Sequence, residues 1–229
     1  MEKSQGKMAG ALVALVVGAV LGVAVGFALD DGGMNESSNN SNGDSSTAVQ
    51  AVNSDAANTR VALNNALREH VNLAGVALRN VYTEAPDADA SVAALDENSV
   101  EVAGVVGSVY GEEAQEQFLS LWRNHIGFFA DYTVAAREGD QAGMEQAKED
   151  LAGYGKDAAA FFEGANENLP ADVVQPLLEE HRDLVLATID LIGAGDFDAA
   201  YLKLGEAADQ VGTIGDALAT GIVTQQSAN

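Results

Sequence analysis

The sequence predicts an all-α protein: an up-down bundle of about six helices in three hairpin repeats, preceded by an N-terminal transmembrane helix. Strand signals are absent beyond residue 48, whereas apolar residues recur every three or four positions in one segment after another. Short turns rich in Gly, Asp and Pro separate these segments, so successive helices should pack as antiparallel neighbours. A long apolar run near the N-terminus is the third observation.

That first element, residues 8–29, contains 22 residues without a charge. At about 1.5 Å per residue, a helix of this length crosses the roughly 30 Å hydrocarbon core of a bilayer. Lys3 and Lys7 precede it, which predicts a cytoplasmic segment 1–7 and an extracytoplasmic C-terminal domain on a single-pass cell-membrane protein. The alternative is a signal peptide cleaved near Ala28, which would release a secreted domain.

Small residues recur at every fourth position of the apolar run, at Gly18, Gly22 and Gly26 among others. On a helix they form one stripe, where the backbones of two helices can approach closely. The stripe favours a homodimer through the membrane helix, although glycine filling an apolar span stays an open alternative. Residues 30–48, rich in Ser, Asn and Gly, then form a flexible linker because they bury too little apolar surface to become ordered.

Residues 49–229 are predicted to form the helical bundle. Its clearest apolar stripes include Leu63, Leu67 and Val81, then Phe118, Leu121 and Phe128, then Met144, Leu151 and Phe161, then Leu177, Leu184 and Leu191, and finally Leu204, Val211 and Leu218. Residues 89–109 form the weakest helix, because two glycines lower its propensity, and are a candidate for a break near Asp96. Asp140, Asp172 and Asp196 are expected to be helix N-caps.

All three histidines of the chain, His70, His125 and His181, fall on apolar stripes at separations of 55 and 56 residues. This period predicts three helical hairpins, each beginning with a helix that points one histidine into the core. The second helix of each hairpin contributes a polar residue to the core at the same period: Asn98, Tyr154 and Gln210. Folding each hairpin about its turn brings these residues to the level of the histidines, which predicts a core polar network.

The histidines are open to two interpretations. In the first, each imidazole pairs with the polar residue of a neighbouring helix and fixes the register of the core. In the second, His70, His125 and His181 converge on zinc or copper, for which three imidazoles are a suitable ligand set. A pocket for a small organic ligand is a further option. The sequence contains no Glu-x-x-His motif, which disfavours a ferritin-like di-iron centre, and Trp122 indicates packing.

Composition limits the function. A formal net charge of -24 repels phosphate backbones, so no binding of nucleic acid is expected. The chain contains no cysteine, which rules out disulfides, thiolate metal sites and cysteine nucleophiles. No phosphate-binding glycine loop or nucleophile elbow is present, and no catalytic residue is predicted. We therefore expect a non-enzymatic, membrane-anchored interaction or binding module with an envelope protein as partner and no certain cofactor; the alternative is zinc or copper binding or sensing.

One motif surrounds the second histidine and others follow it along the chain. They are Tyr110-Gly111-Glu112-Glu113-Ala114 with Phe118, Leu121, His125 and Ile126, then Gly139-Asp140, Leu169-Pro170, and Glu180-His181 with Asp183-Leu184. The sequence in this respect resembles an uncharacterised family of bacterial exported or membrane-anchored helical-bundle proteins with repeated Glu-His motifs. Glu69-His70 and Glu180-His181 follow the family pattern, whereas Asn124-His125 departs from it. The resemblance implies a helical bundle with three repeated histidines and implies no activity.

Overall fold

The structure, a computed structural model, describes residues 54–228. Within this range the chain forms six α-helices and no strand, which confirms the predicted all-α class. The helices are α1 Asp55–Thr83, α2 Ala88–Tyr110, α3 Glu112–Glu138, α4 Gln141–Ala165, α5 Ala171–Ala194 and α6 Phe197–Ala228.

The predicted segments 1–7, 8–29 and 30–48 lie outside the described residues, and so do Gly18, Gly22, Gly26 and the cleavage position near Ala28. No helix within residues 54–228 combines the length and the apolar character needed to cross a membrane.

The helix ends follow the turn chemistry of the sequence. Asp140 accepts two hydrogen bonds of 3.1 Å from backbone N–H groups of α4, and Asp196 accepts one of 3.2 Å from α6, as predicted for N-caps. The prediction for Asp172 is wrong. Helix α5 begins at Ala171 after Pro170, so Asp172 lies in the first turn, where its charge still favours the helix dipole.

Helix α2 runs without a break through Asp96. The Asp96 carboxylate accepts two hydrogen bonds of 2.7 and 2.8 Å from the guanidinium of Arg123 on α3. Val102 and Val106 of α2 are buried against the core, and this packing outweighs the roughly 1 kcal/mol that each helical glycine costs.

Helix α1 is antiparallel to both α2 and α6, because the bonds of each pair join rising residue numbers on one helix to falling numbers on the other. Helix α1 is joined to α2 through Asn80–Ser91 and Asn98–Ala66, and to α6 through Arg60–Asp216 and Arg68–Asp209. The first and last helices therefore pack together and close the bundle.

The three helices that carry the histidines, α1, α3 and α5, contact one another along the middle of the bundle. Helix α2 packs against α1 and α3, α4 against α3 and α5, and α6 against α5 and α1. The arrangement is roughly threefold, with three inner helices and three outer ones. One hydrogen bond between inner helices keeps the offset of the repeat: Arg137 donates to the carbonyl of Val81, 56 residues earlier.

Candidate functional site

The imidazoles of His70, His125 and His181 meet where the three inner helices come together. His70 and His125 are each 3 % exposed, and His181 is half-buried. The ring centroids of His70 and His125 lie 5.5 Å apart, and all three side chains line the same two interior cavities. The structure thus brings together three residues that are 55 and 56 positions apart in the sequence.

Helical periodicity points these imidazoles inward. Leu63 and Leu67 lie seven and three residues before His70, and both are buried. Trp122 and Phe129, three before and four after His125, are buried as well. Because residues three and four apart share one face of a helix, burying these neighbours carries the histidines into the core.

Aromatic rings surround the imidazoles. Trp122, the single tryptophan of the chain, lies with its ring centroid 4.7 Å from His70 and 4.6 Å from His125. The ring of Tyr154 on α4 stacks on His125 at a centroid distance of 4.7 Å and an interplanar angle of 21°. Although the sequence indicates only a packing role for Trp122, its indole forms part of the site.

Four buried polar atoms at this site have no hydrogen-bond partner among the described residues: Nδ1 of His70, His125 and His181, and Nε1 of Trp122. Leaving such a group unsatisfied costs about 1–3 kcal/mol. The side chain of Gln210 is close enough to raise the pKa of His181, yet neither Nδ1 of His181 nor Oε1 of Gln210 makes a well-aligned hydrogen bond. Among the described residues, only the contact between Gln210 and His181 corresponds to the pairing of the first interpretation, and no hydrogen bond joins Asn98 or Tyr154 to an imidazole.

Two of the three core polar residues bind the backbone instead. Asn98 of α2 donates to the carbonyl of Ala66 at 3.2 Å, and Gln210 of α6 donates to the carbonyl of Leu177 at 2.8 Å. Each acceptor lies four residues before a histidine, so each amide side chain reaches the level of that histidine. Tyr154 holds the equivalent position on α4 and stacks on His125.

Burial keeps the three imidazoles uncharged at neutral pH. Desolvation is the main cause that lowers the pKa of His125 to about 3 and that of His181 to about 4. The pKa of His70 is also well below its ordinary value, mainly through desolvation and then through the neighbouring histidines. A neutral imidazole offers one N–H donor and one lone pair, and the lone pair is what binds a metal ion.

The three histidines lie between two apolar cavities of about 50 and 20 Å³ and line both of them. Residues that precede the histidines, such as Leu67, Phe118 and Leu178, line the larger one, which we call the histidine cavity. Residues that follow them, such as Leu78 and Val185, line the smaller one. A water needs about 10–15 Å³ of such space, so the histidine cavity has room for a few waters or an ion with its water.

The fit to a metal ion is partial. Two imidazoles that share a tetrahedral ion, with bonds of about 2.0–2.1 Å, have ring centroids about 5 Å apart. The 5.5 Å between His70 and His125 is close to this spacing. As the side chains stand, however, no group of three His, Asp or Glu residues within residues 54–228 is arranged to hold an ion. A three-histidine site would need rotation of imidazole rings.

No family model, no curated protein and no solved structure matches this chain.

Proposed function

We propose that this protein is a membrane-anchored, extracytoplasmic binding module without enzymatic activity, and that its ligand occupies the histidine cavity. Residues 8–29 supply the anchor, residues 30–48 the tether, and α1 to α6 the binding domain. The positive charges of Lys3 and Lys7 before the anchor orient the domain outward. An envelope protein is the expected partner, and the acidic surface favours solubility.

The observation that supports this proposal best is the cluster of unpaired polar atoms around one cavity. Of seven buried side-chain polar atoms without a partner in the described part of the chain, four belong to residues that line the histidine cavity. At about 1–3 kcal/mol for each atom left unsatisfied, these four would reduce stability by an amount comparable to the net stability of a small domain. A core that served stability alone would hold apolar residues there, whereas a ligand that bonds these atoms offsets the penalty.

The volume of the site limits the ligand. Pockets for metabolites and drug-sized molecules measure about 300–1,000 Å³, several times the 50 Å³ of the histidine cavity. The ligand is accordingly an ion or a molecule of a few atoms. It interacts with neutral imidazoles, either by accepting a hydrogen bond from an N–H group or by accepting a lone pair.

A transition-metal ion, zinc or copper, is the second candidate, and the spacing of His70 and His125 favours it. Desolvation keeps both rings in the neutral form that metals bind, because it lowers both pKa values. Rotation of His181 would add a third ligand, and water would take the remaining position. Under this proposal the domain binds or senses the ion.

The single tryptophan makes the test direct, because Trp122 contacts both His70 and His125. The full chain in detergent is titrated with Zn²⁺ and with Cu²⁺ at pH 7 while tryptophan fluorescence is recorded, and native mass spectrometry reports any ligand retained during purification. We expect a saturable, stoichiometric change that His125→Leu abolishes. Glu180→Gln, at an exposed carboxylate next to His181, is the matched control and should keep the response.

The two candidates separate in this experiment. The absence of a saturable response to either metal would contradict the proposal of zinc or copper binding. If, in addition, the purified chain always showed the mass of the bare polypeptide, the binding role of the cavity would be contradicted as well.

The membrane helix carries a separate proposal, a homodimer through Gly18, Gly22 and Gly26. Replacing Gly18 and Gly22 with Ile should abolish crosslinked dimers of the full chain in membranes. Ala24→Ile, on the opposite face of the same helix, should leave them intact. Dimers that persist in the glycine variant would show that this stripe is not an interface.

A further inference from the structure

Charged side chains line the histidine cavity at one place. Glu179 and Arg182 of α5 border it beside His181, and both are half-buried. The guanidinium of Arg182 also forms an ion pair of 2.7 Å with Asp183, a side chain on the surface. Because charged groups keep contact with water, the histidine cavity comes nearest to solvent along this side of α5.

On the neighbouring helix α4, Gly155 lines the same cavity. Gly155 is buried, yet a Cβ atom added to it would meet no other atom within 4 Å. The buried glycines of α1 and α6 differ: a Cβ added to Gly75, Gly215 or Gly221 would run into a side chain of a neighbouring element. Neighbouring side chains therefore pack tightly against those three glycines, whereas the space beside Gly155 is unfilled.

Tyr154 forms the wall between the histidine cavity and a separate outer hollow of about 250 Å³. This hollow is lined by Gly153 and by the carboxylates of Glu149, Asp150 and Asp157, and none of the histidines reaches it. Gly153 resembles Gly155 in having open space where a Cβ would lie. The two glycines flank the same tyrosine, and only Gly155 lies on the histidine cavity.

The geometry points to the seam between α4 and α5 as the entrance to the histidine cavity, with Gly155 as the residue that keeps it open and limits the size of the ligand. This inference rests on the proposed binding role of the cavity. A ligand passes between Gly155 and the pair Glu179 and Arg182, and then reaches His181 and His125. The absent side chain at residue 155 sets the width of the passage, so larger residues there should exclude progressively smaller ligands.

Quenching of Trp122 fluorescence by dissolved dioxygen tests this access in the full chain in detergent. Dioxygen is small enough for the cavity, and the single tryptophan lines it. We expect Gly155→Ala to lower the bimolecular quenching constant about twofold and Gly155→Val about fivefold, since each added methyl fills space that the quencher must cross. The matched controls, Gly153→Ala and Gly153→Val, should leave it unchanged.

An unchanged constant in a folded Gly155→Ala or Gly155→Val variant would overturn the inference, and so would a larger decrease in the Gly153 variants, which would place the route through the outer hollow. The result does not depend on the binding proposal, because dioxygen quenches tryptophan without binding an imidazole. If substitutions at residue 155 lower the quenching constant but no ligand binds, the proposed entrance is supported and the proposed function is contradicted.

Discussion

The second hairpin differs from the first and third at the position where the repeat places its polar residue. In α2 and α6 the amides of Asn98 and Gln210 bond to a carbonyl four residues before a histidine, which ties each outer helix to an inner one. In α4 the equivalent residue is Tyr154, which stacks on His125 and donates no hydrogen bond within the described residues. Hydrogen bonds from these residues thus join α2 to α1 and α6 to α5, whereas ring stacking joins α4 to α3.

Two buried glycines show a related difference between α6 and α4. Gly221 of α6 lies against Leu169, whereas Gly155 of α4 faces open space. The repeat builds the site by bringing three equivalent histidines to the middle of the bundle. We infer that α4, which departs from the repeat at Tyr154, provides access to this site beside Gly155. We therefore expect changes in α6 to alter stability and changes in α4 to alter exchange with solvent.

Acid should have the largest effect, because it acts on the imidazoles of all three hairpins. The pKa of His181 falls from an ordinary 6.5 to about 4 in the fold, so the unfolded chain binds a proton between these values and the folded chain does not. Stability is present above pH 6.5 and is lost as pH falls, by about 3 kcal/mol at pH 4 from His181 alone. Denaturant unfolding of the full chain at pH 7 and pH 4 measures this loss.

His181→Leu is the control for the acid experiment. This variant lacks the titrating imidazole, so its stability should fall less between the two pH values. An equal fall in both proteins would show that His181 does not contribute to the acid sensitivity.

Two glycine substitutions compare α6, where Gly221 is tightly packed, with α4, where Gly155 faces open space. Gly221→Ala places its Cβ 2.5 Å from Cγ of the buried Leu169 and 3.2 Å from the carbonyl of Asn168, and should cost about 1–3 kcal/mol of unfolding free energy. Gly155→Ala meets nothing and should add up to about 1 kcal/mol through helix propensity. Chemical denaturation at pH 7 measures both, and similar losses in the two variants would remove the distinction between α6 and α4.

The smallest effects should come from the polar residues themselves. Gln210→Leu removes a 2.8 Å hydrogen bond and should cost about 1 kcal/mol. It should also lower the pKa of His181 further, because Gln210 raises that pKa in the native protein. Tyr154→Phe keeps the stacked ring and should change stability by less than about 0.5 kcal/mol. Unfolding curves and an NMR titration of His181 test these values; a larger loss from Tyr154→Phe would reveal a role for its hydroxyl.

Much of the bundle follows from periodicity, which is why the six helices and the inward histidines could be anticipated. The partners of the polar residues could not, because a small rotation of α2 or α6 decides whether Asn98 and Gln210 reach an imidazole or a carbonyl. The role proposed for Gly155 depends on which residues of α5 line the same cavity, and the sequence around Gly155 does not show which they are. Asp172 shows the same limit at short range, since Pro170 ends the preceding turn and moves the helix start ahead of it.

We infer that the histidines form a binding site and lower the stability of the domain by doing so. The most direct test is the unfolding free energy at pH 7, after metal chelation, of the full chain in which His70, His125 and His181 are all replaced by Leu. Leucine has nearly the same volume as histidine and leaves no polar atom unsatisfied, so we predict a gain of about 2 kcal/mol or more over the native protein. A loss of similar size would contradict the account, because it would show that the histidines hold the core together.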